Sequence, residues 1–307
     1  MGGVLLGFST IGAVIALGAL LAHLRVVDIS AQVLLSRLAF FVGSPALMVI
    51  TIGNADVQEV LSRNLVASAA AVVVVGSLYL ACARWLWHHD VPESVIGVLS
   101  ASYVNAGNLG IPVAAYVLGD VALVAPTLLL QMLVLQPLAL SLLDRHTRSA
   151  PRGLGRSLLQ MTTNPLTAGS LVGLLLSLTG WQLPAFVANP LGLLADLAVP
   201  AMLLAYGIAL RLGPGFGEGG TRGEVVVATT LKLLVQPVAA WLVAHGLLGV
   251  DGTALFAIVV TSALPTAQNI FVHATRYGRG QTMARDTILL TTIGSVPVIL
   301  VIALLLG

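Results

Sequence analysis

Apolar residues fill ten runs along the chain, near positions 3–24, 33–53, 65–87, 94–119, 121–143, 165–182, 191–211, 224–246, 253–275 and 287–306. A helix needs about 20 apolar residues to cross the hydrocarbon layer of a bilayer, and most runs meet that length. The first run has neither a basic leader segment nor a small-residue cleavage site, so it reads as a retained helix. The pattern predicts an all-α integral membrane protein with ten transmembrane helices.

Composition sharpens this reading. Charged residues make up 8% of the 307 residues, against about 25% in soluble domains, and mean hydropathy is +1.01. No stretch is left for a soluble catalytic domain. The 14 prolines and 32 glycines lie scattered through the apolar runs, as in membrane helices with deliberate breaks. Cys82 is the single cysteine, which excludes an intrachain disulfide and a cysteine-rich metal site.

The pI near 9.0 reflects topology rather than nucleic-acid binding. Arg25, Arg84, Arg145, Arg148, Arg152, Arg156, Arg211, Arg222, Arg276, Arg279 and Arg285 fall on the side reached after an odd number of crossings, and only Arg63 lies opposite. The positive-inside rule then puts both termini outside and makes the Asp144 to Asn164 loop cytoplasmic. That loop is a solvated topology signal, with lipid headgroups as the alternative partner.

The chain also resembles itself. Ser44-Pro45-Ala46-Leu47-Met48 with Gly53 is matched by Val199-Pro200-Ala201-Met202-Leu203 with Gly207, and the prolines are 155 residues apart. Gln131 with Pro137 is matched by Thr291 with Pro297, each pair separated by 160. Residues 1–143 and 165–307 are thus read as two five-helix repeats joined by residues 144–164. Five is odd, so the second repeat enters the membrane inverted, which supplies outward-open and inward-open states of similar energy.

The fourth run contains Ser102-Tyr103-Val104-Asn105-Ala106-Gly107-Asn108-Leu109-Gly110-Ile111-Pro112. Pro112 lacks an amide donor, and Gly107 and Gly110 tolerate torsions other residues resist, so a broken helix is expected. A break inside a membrane must be buried in protein or line a polar cavity. The ninth run carries Ser262-Ala263-Leu264-Pro265-Thr266-Ala267-Gln268-Asn269, where a second break is expected. Half-helix N-termini converging at two such breaks would favour an anionic ligand. Asn105, Asn108, Gln268 and Asn269 either bind that ligand or cap the broken ends.

Other polar residues lie within the runs. Asp196 either couples protons or hydrates at the outer interface. Lys232 either meets a carboxylate, pairs structurally, or snorkels to the cytoplasm. Gln131, Gln136 and Gln236 either line the cavity or bridge helices. His273 and Tyr277 share a helical face, as a gate or as an interfacial anchor. His88 and His89 beside Trp85 and Trp87 suggest an interfacial belt, and no metal site is expected.

Several of these residues carry a resemblance. Asn105-x-x-x-x-Gly110-Ile111-Pro112, then Ala263-Leu264-Pro265 followed by Phe271-Val272-x-Ala274 and Tyr277, together with Pro45 and Pro200, resemble the auxin efflux carrier family, which includes plant PIN-type exporters and bacterial malonate-transporter-like proteins. The resemblance implies a fold similar to bile acid symporters and sodium/proton antiporters, with crossover helices four and nine. It implies a scaffold of helices one, two, six and seven, and a mobile unit of helices three to five and eight to ten. It also implies elevator-like transport of an organic anion, often by a homodimer. Asn105 and Pro112 match the family's first crossover, whereas Ile270 stands where the plant exporters have a second crossover proline. The Gln268-Asn269 pair is therefore expected to define the second break, and auxin itself is not implied.

The expected function is a secondary transporter of a small organic anion, a carboxylate, in the cytoplasmic membrane. No phosphate-binding Gly-x-x-x-x-Gly-Lys-Ser/Thr segment is present, so protons or the membrane potential are the expected driving force, and no cofactor is implied. A sodium-coupled symporter and a channel or sensor are the alternatives. Without Gly-x-Ser-x-Gly or His-Glu-x-x-His, no enzyme is expected.

Overall fold

The structure is a computed structural model that describes residues 2–54, 63–147, 165–212 and 222–307. Most of the expected cytoplasmic loop, residues 148–164 with Arg148, Arg152 and Arg156, lies outside the described residues. In chain order the helices are α1 (Gly2–His23), α2 (Ile29–Asn54), α3 (Arg63–Trp85), α4 (Val91–Ser102), α5 (Ala106–Leu118) and α6 (121–147). They continue as α7 (Pro165–Thr179), α8 (Ala185–Leu212), α9 (Arg222–Leu247), α10 (Gly252–Ser262), α11 (Asn269–Tyr277) and α12 (Gln281–Leu306). Five of the described helices are long and apolar enough to span a membrane unaided: α2, α3, α8, α9 and α12.

Caps decide where several helices start. Asp90 accepts the Glu93 amide at 2.9 Å with Pro92 in the first turn, so α4 opens at Val91, ahead of the apolar run. Asp28 caps α2 by accepting the Ser30 amide at 2.9 Å. The Ser30 hydroxyl, with the amides of Ala31 and Ser30, holds the Asp28 carboxyl below its ordinary range. Helices α8 and α12 also begin before the apolar runs expected near 191 and 287, at Ala185 after Pro184 and at Gln281 after Gly280, without a side-chain cap.

Four of the helix prolines share a mark, whereas Pro190 and Pro297 sit in regular α-helix. The backbone widens into a π-helical turn over Ala39–Gly43 ahead of Pro45, Ala106–Gly110 ahead of Pro112, Gln131–Leu135 ahead of Pro137, and Leu231–Val235 ahead of Pro237. Proline has no N–H for the carbonyl one turn back, and a wider turn absorbs the mismatch without ending the helix.

The chain forms two compact units, each drawing helices from both sequence halves. The first comprises Met1–Ser62, Gly107–Leu129 and Gln160–Gly215 and so holds α1, α2, α7, α8, most of α5 and the start of α6. Close backbone approach organises it. Gly169 and Gly173 form a Gly-x-x-x-Gly on α7, where a Cβ would stand 2.6 Å from the Pro45 carbonyl oxygen and 2.8 Å from that of Met48 on α2. Gly18 of α1 lies against the Leu204 backbone, and Gly207 of α8 against that of Ile15. In a bilayer, where lipid tails compete for apolar contact, such small-residue packing drives helix association.

The second unit comprises Arg63–Ala106, Leu130–Leu159 and Phe216–Gly307 and so holds α3, α4, the rest of α6, and α9 to α12. One buried cluster joins Ile96, Leu99 and Tyr103 to Leu143, Ile270 and Met283. Another joins Val75, Tyr79 and Ala83 of α3 to Ala101, Ala228 and Leu231. Gly97 of α4 lies directly against the Tyr79 ring, where any Cβ would collide.

Candidate functional site

Two helix breaks lie side by side within the second unit. Helix α4 ends at Ser102, residues Tyr103 to Asn105 are extended, and the helix resumes at Ala106. Helix α10 ends at Ser262, and Ala263 to Gln268 separate it from α11. Val104 and Thr266 form an antiparallel bridge, the strand-like contact among the described residues. The Asn105 amide donates to the Pro265 carbonyl at 2.7 Å, and the Ala267 amide donates to the Tyr103 carbonyl at 3.1 Å. The antiparallel register sets the last turn of α4 beside the start of α11, a partial negative end beside a partial positive one.

Buried side chains satisfy the carbonyls that the breaks free. Gln131 Nε2 donates to the Val104 carbonyl at 3.0 Å, and Gln236 Nε2 to the Ser102 carbonyl at 3.0 Å. Lys232 Nζ donates to the Ser262 carbonyl and to Gln236 Oε1, both at 2.9 Å. The Thr266 hydroxyl donates to the Ser100 carbonyl at 2.6 Å, while Thr291 Oγ1 accepts the Thr266 amide at 3.0 Å. An unpaired polar backbone group in hydrocarbon costs several kcal/mol, so these contacts are the condition for breaking the helices at this depth.

Beside the breaks, the Tyr103 hydroxyl donates to Gln136 Oε1 at 3.3 Å and is also hydrogen-bonded by the Asn269 side chain. Asn269 Oδ1 is buried with no hydrogen-bond partner among the described residues. The amide end of this carboxamide is therefore engaged, and its oxygen is a buried acceptor without a donor among the described residues. Asn105 is buried at 3% exposure between the two extended segments. His273 is half-buried one turn beyond Asn269 on α11.

Several expectations are corrected. The fourth run breaks at Tyr103 to Asn105, not at its glycines and proline. Gly107, Asn108 and Gly110 lie in the π-helical turn that follows, and Pro112 lies within the resumed helix, all of them in the first compact unit. The widened turn absorbs the missing Pro112 donor, and pairing with residues 265–267 is what holds the chain extended. The second break spans Ala263 to Gln268 around Pro265, so Gln268 closes it and Asn269 already opens α11.

Lys232 does not snorkel: its side chain is 0% exposed and caps α10. Gln131 is likewise a backbone cap. Asp196 ends the first part of α8 beside a turn at Leu197 and is exposed in the chain, and it belongs to the first unit. Tyr277 donates to Asp144 Oδ1 at 2.8 Å, tying α11 to the end of α6. No group of three His, Cys, Asp or Glu able to hold a metal occurs among the described residues.

Tyr103, Thr266 and Thr291 were not singled out as site residues from sequence, and Gln236 only as one of several intramembrane glutamines. A signal for the caps exists in the Gln-Pro pairs at 136–137 and 236–237, each preceded by a polar residue, Gln131 or Lys232, within the widened turn.

Residues 10–303 match the family described as membrane transport protein. A provisionally named malonate transporter of Rhizobium meliloti (strain 1021) is 26% identical over 269 residues, which cover 85% of this chain and 83% of that protein. Auxin efflux carrier component 3a of Oryza sativa subsp. japonica is 27% identical and component 1 of Arabidopsis thaliana 26% identical, each over 152 residues. Those alignments cover 48% of this chain and 24% of each plant protein. The relatives are transporters rather than enzymes, and the apolar helices fit that role. The chain belongs to the membrane transport protein family and is an integral membrane transporter of the auxin efflux carrier and malonate transporter kind.

Proposed function

We propose that this protein is a secondary active transporter that moves a small organic anion, a carboxylate, across the cytoplasmic membrane by elevator-type alternating access. The carrying observation is the paired break: two apolar helices are interrupted where Val104 meets Thr266, and a buried carboxamide end at Asn269 is left open there. The start of α11 lends partial positive charge to that position, which favours a carboxylate, while the unpaired Asn269 Oδ1 is an acceptor for a donor on the substrate or on its bound water. The substrate site in this reading includes Asn105, Gln136, Gln268 and Asn269 of the second unit, with Gln131 supporting the backbone.

The wider architecture follows the same reading. Ten spans form two inverted repeats, with both termini outside and the protein working as a homodimer. The partition of α1, α2, α7 and α8 from α3, α4 and α9 to α12 supports one unit that moves against another. The name of the Rhizobium relative favours a dicarboxylate such as malonate. Two oxygens that an alkali cation would gather, those of Ser262 and Gln236, already accept from Lys232, which favours protons or membrane potential over sodium as the driving force. Asp196 and His273 are the proposed proton-coupling groups, and Asp196→Asn is expected to alter pH dependence more than substrate preference.

Solid-supported-membrane electrophysiology on proteoliposomes tests this with malonate, malate, succinate, lactate and indole acetate, with and without a pH gradient. Saturable currents that are lost in Asn105→Ala are expected. Folded wild-type protein that gives neither currents nor radiolabelled counterflow with any of these acids overturns the substrate class.

A further inference from the structure

A groove of about 650 Å³ runs along the second unit between α3, α4 and the second part of α6. Val72, Leu80, Val98, Leu138 and Leu142 make its walls apolar, and Leu80 and Leu138 are exposed on the chain's surface. Its polar groups are unevenly placed. Arg84, His89 and Ser94 lie at the turn joining α3 to α4, while Ser102 alone lies at the other end, beside the first break.

Of the two basic groups at the turn, Arg84 has free capacity and His89 is held in place. Arg84 is exposed and has no acidic partner among the described residues; the nearby Asp90 is paired with Arg279 at 3.3 Å. His89 is held by stacking on Trp87, with ring centroids 5.7 Å apart, and its Nε2 lies 3.3 Å from Glu224 Oε1. Its side chain is 9% exposed, and its Nδ1 is buried with no partner among the described residues.

The dimensions and setting identify the occupant. Arg84 and Val72 are three turns apart on α3, about 18 Å at about 1.5 Å per residue. One leaflet contributes about 15 Å, half of the roughly 30 Å hydrocarbon layer. Trp85, 77% exposed, and Trp87 stand at the basic end, where aromatic residues mark the headgroup level. A cavity with a cationic rim at headgroup depth and an apolar wall one leaflet long matches a phospholipid, not a free small anion.

We propose that this groove is a binding site for an anionic phospholipid of the leaflet on Arg84's side. The phosphate sits on the Arg84 guanidinium, with His89 and Ser94 lining the same end of the groove, and one acyl chain follows the wall toward Ser102. The groove reaches the first break at Ser102, but Tyr103, Gln136 and Asn269 do not line it, and the proposal does not depend on the identity of the substrate.

Native mass spectrometry and thermal melting of the delipidated full-length protein test it, with phosphatidylglycerol or phosphatidylcholine added back. Wild type is expected to retain phosphatidylglycerol in preference and to melt higher with it. Arg84→Gln is expected to lose that preference. Leu138→Trp fills the groove while leaving Arg84 in place and is expected to lose it too, whereas Arg84→Lys retains part of it. Arg25→Gln, an exposed basic position in the other unit, is expected to behave as wild type. The proposal is overturned if Arg84→Gln or Leu138→Trp keeps the full preference, or if Arg25→Gln loses as much. It is also overturned if glycerol 3-phosphate, which has no acyl chain, reproduces the wild-type melting shift.

Discussion

The Lys232 amino group donates at 2.9 Å to the carbonyl oxygen of Ser262, the last residue of the helix that precedes the second break. A second donation to Gln236 Oε1 holds that glutamine where its own amide reaches the Ser102 carbonyl, so one buried lysine supports both broken ends. Replacing it leaves two buried acceptors without donors, each costing about 1–3 kcal/mol.

Lys232→Met should therefore destabilise the second unit by about 2–4 kcal/mol. A clear fall in melting temperature in detergent or nanodiscs is the expected result. A variant that melts with wild type would show that these carbonyls find other donors.

Gln131→Leu keeps the volume and removes the donor to the Val104 carbonyl. The expected loss is about 1–3 kcal/mol, from one buried backbone acceptor at the crossover. Gln131→Glu should be at least as damaging, because a carboxylate beside that carbonyl repels it. Comparing the two melting curves separates loss of the donor from loss of packing.

Asn269→Ala removes the unpaired carboxamide oxygen and should raise the half-saturating substrate concentration about 10-fold, the worth of one hydrogen bond. Asn105→Ala should abolish flux with assembly retained. Currents from reconstituted protein, with monodispersity checked by size exclusion, decide both. Wild-type flux in either variant would remove that residue from the substrate path.

Gly173→Ala places a Cβ within 2.8 Å of the Met48 carbonyl oxygen, and Gly169→Ala within 2.6 Å of that of Pro45. Each should cost about 1–3 kcal/mol through forced separation of α2 and α7. Gly192→Ala, with open space around it, is the matched control and should be close to neutral. Equal melting temperatures across the three would argue against close packing here.

Much of this molecule is legible without coordinates because the bilayer imposes a simple rule: long apolar runs become helices, and a polar pair such as Gln268-Asn269 inside one marks an interruption. The residues at the crossover were legible as types. Asn105, Gln131, Lys232 and Asn269 are polar where hydrocarbon tolerates polarity only for a reason. Their division of labour was not. Whether an intramembrane glutamine caps a carbonyl or faces a ligand depends on a partner such as Val104 lying 27 positions away, and composition carries no record of that distance.

The position of the first break shows the same limit. Gly107, Gly110 and Pro112 carry the local propensity to break, yet the helix opens earlier, at Tyr103 to Asn105, because only those residues can pair with Pro265 and Ala267. The sequence by itself determined an apolar, helical, repeatedly interrupted membrane chain with a scarcity of charge and a handful of costly polar positions. Tertiary structure alone decided which interruptions meet, which carbonyls Lys232, Gln131 and Gln236 close, and which carboxamide end at Asn269 stays open. Propensity acts along the chain within a turn or two, whereas satisfying a buried backbone group requires a donor delivered by another helix.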